Sequence, residues 1–590
     1  MSSAVAISMI SAVGHVVAAM AFGWLVLVGY RYIASRSSVV GAIFAITILT
    51  RAALGLALFW VSYLRLPIAQ SLQRGDGFWQ MFLDAAGTHQ NAARAAETHQ
   101  LYGLDHSLAA PLFHDVYAIW LMIVGISPAA GLFLNLCFYT LLVTLIVRFF
   151  SPVNEWRSDL PCIVGVAGYS LSPATLVNST QPLKDEMAVV IVAILCLATL
   201  TLVRFLREPA ARSETRTAAA AITAIALAIF CMAGVRWYFA FIMWCAVALV
   251  LAIFAFRGRV SSSSRYGTGS IAVLIAGWLA IWFGTGQYYA AVGLDFGRLS
   301  NPSGSRALQQ IREFPSYLLM RVRISRTGFL TSGGGTNIVI PLRTDSAAGE
   351  ARARELMNAA DASAFHEPQV LAAARIASLN FKSATLPVVV PQPTVTPKVA
   401  PQPTVTPKVA LQPTVTPRVA PQPTVTPSTP TPGEGPAKPP DQTPYQAVAR
   451  AIPVGIFDEF MAVGWGLALF FVPISLVLAA GGIAVAGGRG LLHVTEVDTV
   501  FLDIAVLSMV ALLWRRRRAI GDRLPLVVFG AILCGTTVVL LGYSVTNFGT
   551  LWRMRPMAII PLWVMAVALS PRLETPQKDV TERATAVASS

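Results

Sequence analysis

Apolar runs about as long as a bilayer is thick succeed one another along this chain, separated by short polar breaks rich in arginine. A hydrocarbon core of ~30 Å takes about 20 residues of helix and offers no water to exposed backbone groups, so each run predicts a spanning helix. Runs near 6–29, 39–64, 128–149, 160–179, 186–206, 217–234, 237–256, 269–286, 461–486, 499–514, 524–544 and 556–571 meet that description. They predict an all-α, polytopic integral membrane protein with about 11–13 transmembrane helices. Two stretches interrupt the pattern, a polar loop over 65–127 and an insertion over 287–452.

The basic residues orient the spans, because short cytoplasmic loops retain Lys and Arg. Arg31 and Arg36 place the first turn inside and the loop 65–127 outside. Strict alternation then keeps Arg148, Arg157, residues 204–216 and residues 257–265 inside, and puts Asp76 and Lys184 outside together. A single span at 461–486 would carry Arg515, Arg516, Arg517 and Arg518 outside, against this bias. A broken hairpin or re-entrant segment over 453–488 restores it, and Pro473 with Gly464, Gly466, Gly481, Gly482 and Gly487 permits the break.

Composition supports this reading. The 590 residues are 55% hydrophobic and 12% charged, whereas a soluble protein carries about 25% charged residues. The net charge of +15 does not indicate nucleic acid, since the cations are scattered between spans rather than gathered in one patch. Charge bias and anionic lipid account for them. Cys137, Cys162, Cys196, Cys231, Cys245 and Cys534 lie in or beside apolar runs without metal-ligand spacing and read as small core hydrophobes. Met1–Ile10 lacks the basic stretch of a cleavable signal, so the first run is expected to stay as a span.

The chain thus divides into an N-terminal membrane module (1–286), an extracytoplasmic insertion (287–390), a linker (391–445), a C-terminal membrane module (446–572) and a disordered cytoplasmic tail (573–590). The insertion includes alanine-rich amphipathic sequence from Ala347 to Ala384. The linker repeats a ten-residue unit close to PQPTVTPKVA, beginning at Pro391, Pro401, Leu411 and Pro421. Proline at this density removes backbone donors and fixes φ, which predicts polyproline II or disorder, an arch or tether rather than a core.

Candidate chemistry gathers where spans meet the outer face. The first loop holds Asp76, Asp84, His89, Asp105, His106 and His114. Asp76 precedes Phe78 and Trp79 and reads either as a solvated carboxylate on an interfacial helix or as a general base at the water boundary. Lys184, Asp185 and Glu186 head a later run. The acids suit a helix N-terminus, while Lys184, a cation outside, suits a phosphate. Arg236 lies in the short turn GVRWYF, and Arg553 and Arg555 enter the last run, near Asn547 and Gly549. Those two arginines either snorkel to headgroups or take a phosphate in bidentate fashion. Arg51 falls mid-span, where an unpaired charge costs ~3 kcal/mol or more, so it should face the bundle and find a partner.

In order, these pieces resemble the multi-spanning C-superfamily glycosyltransferases, especially bacterial relatives of the protein mannosyltransferases and the lipid A aminoarabinose transferases. The likeness rests on acidic Asp76 in the first long loop and on the stretch from Leu104 to Phe150 with its Gly125–Ser127 turn. It extends to Ser172–Pro173 with Lys184 and Asp185, and to NFGTLWRMRP near the C-terminus. Many members carry two adjacent acids where Asp76 is followed by Gly77, leaving Asp84 or Asp105 to supply a second carboxylate. The resemblance implies an inverting transfer of a hexosyl or pentosyl group from a polyprenyl-phosphate-linked sugar to a glycan, lipid or protein of the cell envelope. The setting would be the outer face of a bacterial inner membrane. It gives Asp76 the acceptor's proton, assigns Lys184, Arg236, Arg553 and Arg555 to the lipid phosphate, and leaves His106, Asp185 and Asn547 to shape the site. The sequence demands no cofactor; a divalent cation is the one candidate, and its ligands are unknown. Membrane lipids are the remaining expected partner. Competing readings are an envelope polysaccharide polymerase or ligase, a flippase or transporter of lipid-linked sugars, and a structural envelope protein working through its proline-rich arch.

Overall fold

The computed structural model describes residues 3–102, 110–207 apart from 151, 153 and 155, 212–256, 270–280, scattered positions over 322–342, 346–362, 452–472, scattered positions over 499–515, 517–545 and 548–568. The proline-rich repeat, residues 473–488 of the segment expected to be re-entrant, Asp105, His106 and Asn547 lie outside the described residues.

The first two runs form α1 (Ser3–Arg36) and α2 (Ser38–Tyr63), a hairpin broken only at Ser37, whose extended backbone and hydroxyl cap the second helix. Next come a small antiparallel pair, β1 (Gln73–Gly75) and β2 (Phe78–Trp79), and the helices α3 (Leu83–Thr98) and α4 (Pro111–Val124). The loop 65–127 is therefore folded. Its α4 is apolar and buried on one face, packed on α3 and α5, where the sequence reading saw only a polar connection. The module continues with α5 (Ala129–Phe150), α6 (Trp156–Ser170), α7 (Pro173–Asn178), α8 (Asp185–Arg207), α9 (Arg212–Phe256) and α10 (Ser270–Ala280). The run expected to span 160–179 is split. Ser172 caps a new short helix through its hydroxyl, and Pro173 opens that helix because it needs no amide donor there.

A single non-helical residue, Arg236 (φ −152°, ψ 85°), interrupts α9. A methyl built on Gly277 would meet both Ile229 and Trp244. In a continuous helix those two residues would be over 20 Å apart at 1.5 Å per residue, so the chain folds back at Arg236, and the expected turn GVRWYF is present. Beyond the insertion, whose described helix is α11 (Ser346–Ala362), come α12 (Ile456–Phe471), α13 (Arg517–Ser544) and α14 (Phe548–Ala568). Among the described residues, six helices are long and apolar enough to cross a membrane, and four shorter apolar ones accompany them.

Helix α8 is the centre of the bundle, packed against α5, α9 and α14. Its sequence VVIVAILCLATLTLV is apolar on every side, as a helix surrounded by helices requires. Polar bonds help lock the packing, as suits helices in lipid, where apolar contact alone gives little preference. Thr47 shares a hydrogen bond with the Tyr139 hydroxyl (2.6 Å), which donates to Ser170 (2.7 Å). Buried Asn135 donates to the carbonyls of Ser179 (3.2 Å) and Gln181 (2.7 Å).

The two ends of the bundle differ. At one, Ser38 bonds Asn154 and Arg204 lies over the Phe149 ring, so the α1–α2 turn, the α5–α6 connection and the end of α8 meet amid arginines. At the other lie the hairpin β1–β2, Lys184, the Arg236 turn and the α13–α14 connection. Helix α12 also stays near this second end. Gly466 meets the backbone of Gly542 close to the end of α13, and the Leu469 carbonyl accepts from Arg555 near the start of α14. The six cysteines are all free thiols.

Candidate functional site

The head of α8 organises the polar end. Asp185 and Glu186 are consecutive, hence about 100° apart around the helix, and they face different neighbours. Asp185 pairs with Arg236, which also donates to the Tyr238 hydroxyl (3.0 Å) and approaches the Met554 sulfur (3.8 Å). Glu186 accepts from Arg51 (3.1 Å) and from the Tyr169 hydroxyl. Helix capping, the simplest sequence reading of these acids, is thus not their main role, since each neutralises a buried arginine. Arg51 also donates to the Thr175 carbonyl (2.9 Å) and hydroxyl (3.0 Å) and lies 4.3 Å from the centre of the Tyr139 ring. The mid-span cation has the partner expected of it. The identity of that partner was not legible because Glu186 is 135 residues away.

Lys184 stands just before this helix, half-buried. Burial and the Arg236 and Arg553 guanidinium groups pull its pKa down to about 8, against the upward pull of Asp84 and Asp185. Arg553 reaches Asp84 at 3.5 Å. Five charges from α3, the α7–α8 loop, the head of α8, the α9 turn and α14 therefore meet, three cations against two carboxylates. His114 joins them from α4: its Nδ1 donates to the Ala110 carbonyl (2.7 Å), and the ring senses the Lys184 charge.

Asp76 sits beside this cluster and does not enter it. It occupies the tip of the β1–β2 hairpin, exposed, with φ of +94°, +54° and +85° at Gly75, Asp76 and Gly77. Glycines on either side make that left-handed path accessible, and Asp tolerates it better than most residues. The expected interfacial helix begins only at Leu83, so Asp76 lies on a turn, not on a helix. The turn is held firmly. Ser62 donates to the Phe78 carbonyl (2.5 Å), Trp79 to the Leu58 carbonyl (3.0 Å), and Gln181, three residues before Lys184, to the Gly77 carbonyl (3.3 Å).

Arg555 does not belong to the group. Two residues apart on a helix means about 200° of rotation, so it points away from the side that carries Arg553. Its guanidinium, 1% exposed, donates to Thr499 (2.6 Å) and the Leu469 carbonyl (2.8 Å) and lies over Phe470. It ties α14 to α12 and is removed from the set of phosphate ligands. Asp185 is likewise committed to Arg236. Among the described residues no three His, Cys, Asp or Glu side chains gather as a metal site; Asp105, His106 and Asn547 lie outside them. Comparison with protein-family models, with curated proteins and with solved structures finds no match for this chain.

Proposed function

We propose that the protein is a membrane glycosyltransferase that moves a sugar from a polyprenyl-phosphate donor to an envelope acceptor at the outer face of a bacterial inner membrane. The observation that carries this reading is the surplus of positive charge around Lys184, at the polar end of a bundle of apolar helices, beside a rigidly mounted and accessible carboxylate. The acceptor oxygen attacks the anomeric carbon, the bond from that carbon to the phosphate oxygen breaks, and the lipid phosphate leaves with the electron pair. Asp76 takes the acceptor's proton. Lys184 and Arg553, with Arg236 fixed behind them by Asp185, meet the negative charge as it develops, and in a water-poor setting fixed cations act strongly. The opposite end, with Arg36, Arg148 and Arg204, then faces the cytoplasm. Exposure suits Asp76 to this task, because the acceptor arrives from water while the donor arrives along the membrane.

Asp76→Asn tests the assignment. Protein-dependent sugar transfer in membrane vesicles is expected to fall to background while insertion and abundance persist. Retained transfer would remove Asp76 from the mechanism and favour a polymerase-like or ligase-like reaction run by the cations alone.

A further inference from the structure

Between the end of α2 and the Asp76 hairpin lies a surface that the proposed chemistry does not use. Down α2, Ile46, Leu49, Ala53, Leu56, Trp60 and Tyr63 are exposed at three- and four-residue spacing, the stripe that a spanning helix turns to lipid. The stripe does not stop where the helix stops. Leu64, Leu66, Ile68 and Leu72 extend it, at 57%, 36%, 57% and 38% exposure.

This segment is folded so as to keep those side chains outward. The Leu66 amide returns to the Val61 carbonyl (2.9 Å), and the Gln73 side chain donates to both the Leu66 and Ile68 carbonyls, each at 2.7 Å. Arg65 and Ala69 take left-handed backbone angles, φ +51° at both, where a side chain is disfavoured. A loop meant for water has no use for such a conformation, because it exposes four large aliphatic groups. Trp60 and Tyr63 stand at its base, as aromatic residues do at a membrane boundary. The Arg65 guanidinium, exposed, lies against Gly75 at the start of the Asp76 turn.

We infer that residues 64–72 form an interfacial wedge docked on bilayer lipid. Leu64, Leu66, Ile68 and Leu72 sit at the headgroup–acyl boundary, continuous with the lipid face of α2, and Arg65 lies at the depth of the lipid phosphates. The occupant is lipid rather than a protein because the wedge prolongs a lipid-facing stripe without a break in chain or surface. Its consequence is positional. Since the 73–79 hairpin is built directly on the wedge, the Asp76 turn is seated at headgroup level and cannot rise freely into water. The inference requires that the chain cross a membrane and does not depend on the transfer reaction.

Nitroxide labels at Ile68→Cys and, separately, Leu72→Cys test it, in the full-length protein reconstituted into nanodiscs of anionic phospholipid. Background from the native thiols is subtracted using the unsubstituted protein. Collision with oxygen, which concentrates in lipid, is compared with collision with a water-soluble nickel chelate. Labels at Leu49→Cys and Gln100→Cys supply the lipid and water references. The oxygen-to-nickel ratio at 68 and 72 is expected to lie near that of 49 and several-fold above that of 100. A ratio at either position like that of 100 overturns the wedge, as does protection from both reagents, which would mean a covering protein or a second copy. If one variant fails to insert, the other decides.

Discussion

Glu186→Gln isolates the energetics of the polar end most sharply. Arg51 and Glu186 are 0% and 4% exposed and 3.1 Å apart, and removing one partner of a buried pair costs about 3–5 kcal/mol because the other charge is stranded. A guanidinium cannot shed its proton to escape. Arg51 would keep the two Thr175 bonds, the Tyr139 and Tyr169 rings and a neutral acceptor in the Gln amide oxygen, a ring contact being worth ~1–2 kcal/mol. These place the loss near the low end, at about 3 kcal/mol. Arg51→Met should cost less, about 2 kcal/mol, since Glu186 can take up a proton and keeps the Tyr169 hydroxyl as a donor. The double variant strands no charge and should lose only about 2 kcal/mol in all, giving a coupling of about 3 kcal/mol between the two sites. Unfolding by SDS in mixed micelles, followed by tryptophan fluorescence, measures all three. Losses that simply add would mean that the pair carries no net interaction, and the view of α8 as a helix stapled at its head would be wrong.

Other consequences separate residues that look alike in sequence. Arg555→Gln should destabilise the fold by about 2–3 kcal/mol through the lost Leu469 and Thr499 contacts. Arg553→Gln, whose partner Asp84 is mostly exposed, should leave stability within about 1 kcal/mol and cut transfer by about a hundredfold, as read from micellar unfolding and vesicle assays together. Gly466→Ala places a methyl 2.1 Å from the Gly542 carbonyl oxygen, a backbone atom with no means of retreat, and should lower thermal stability by about 3 kcal/mol. The pKa of Lys184, lowered from 10.5 to about 8, has two opposed effects. Between those values the unfolded chain holds a proton that the folded chain has released, so stability should rise with pH. Over the same interval the folded protein loses its cation, and binding of polyprenyl phosphate should weaken; a pH titration of binding and of unfolding checks both signs.

The sequence made the apolar architecture legible because the length of a span is set by lipid, whatever the partners. The Arg236 turn was readable from the cation between two runs, and the need for a partner at Arg51 from the expense of its position. What sequence could not supply was pairing over distance. Nothing in SPATLVNSTQPLKDE says that Glu186 meets Arg51 while its neighbour Asp185 meets Arg236. Likewise, Arg553 and Arg555 read as one motif until helical rotation sends them to opposite sides. At Asp76 the flanking Gly75 and Gly77 point to a turn rather than a helix, and a turn is what the backbone forms there. Helix α4 is not legible as a span because PLFHDVYAIWLMIV is only 14 residues long and carries His114 and Asp115 near its start. His89 and His114, read as loop residues, are in fact buried.

The most direct test of the account is to follow the donor lipid itself. Purified protein in vesicles is supplied with a polyprenyl-phosphate-linked sugar and an envelope extract as acceptor, and free polyprenyl phosphate is quantified. The account predicts protein-dependent release of that lipid with the sugar recovered on the acceptor, lost in Asp76→Asn and in Lys184→Gln. Movement of intact donor across the bilayer with no cleavage of the sugar–phosphate bond would contradict it.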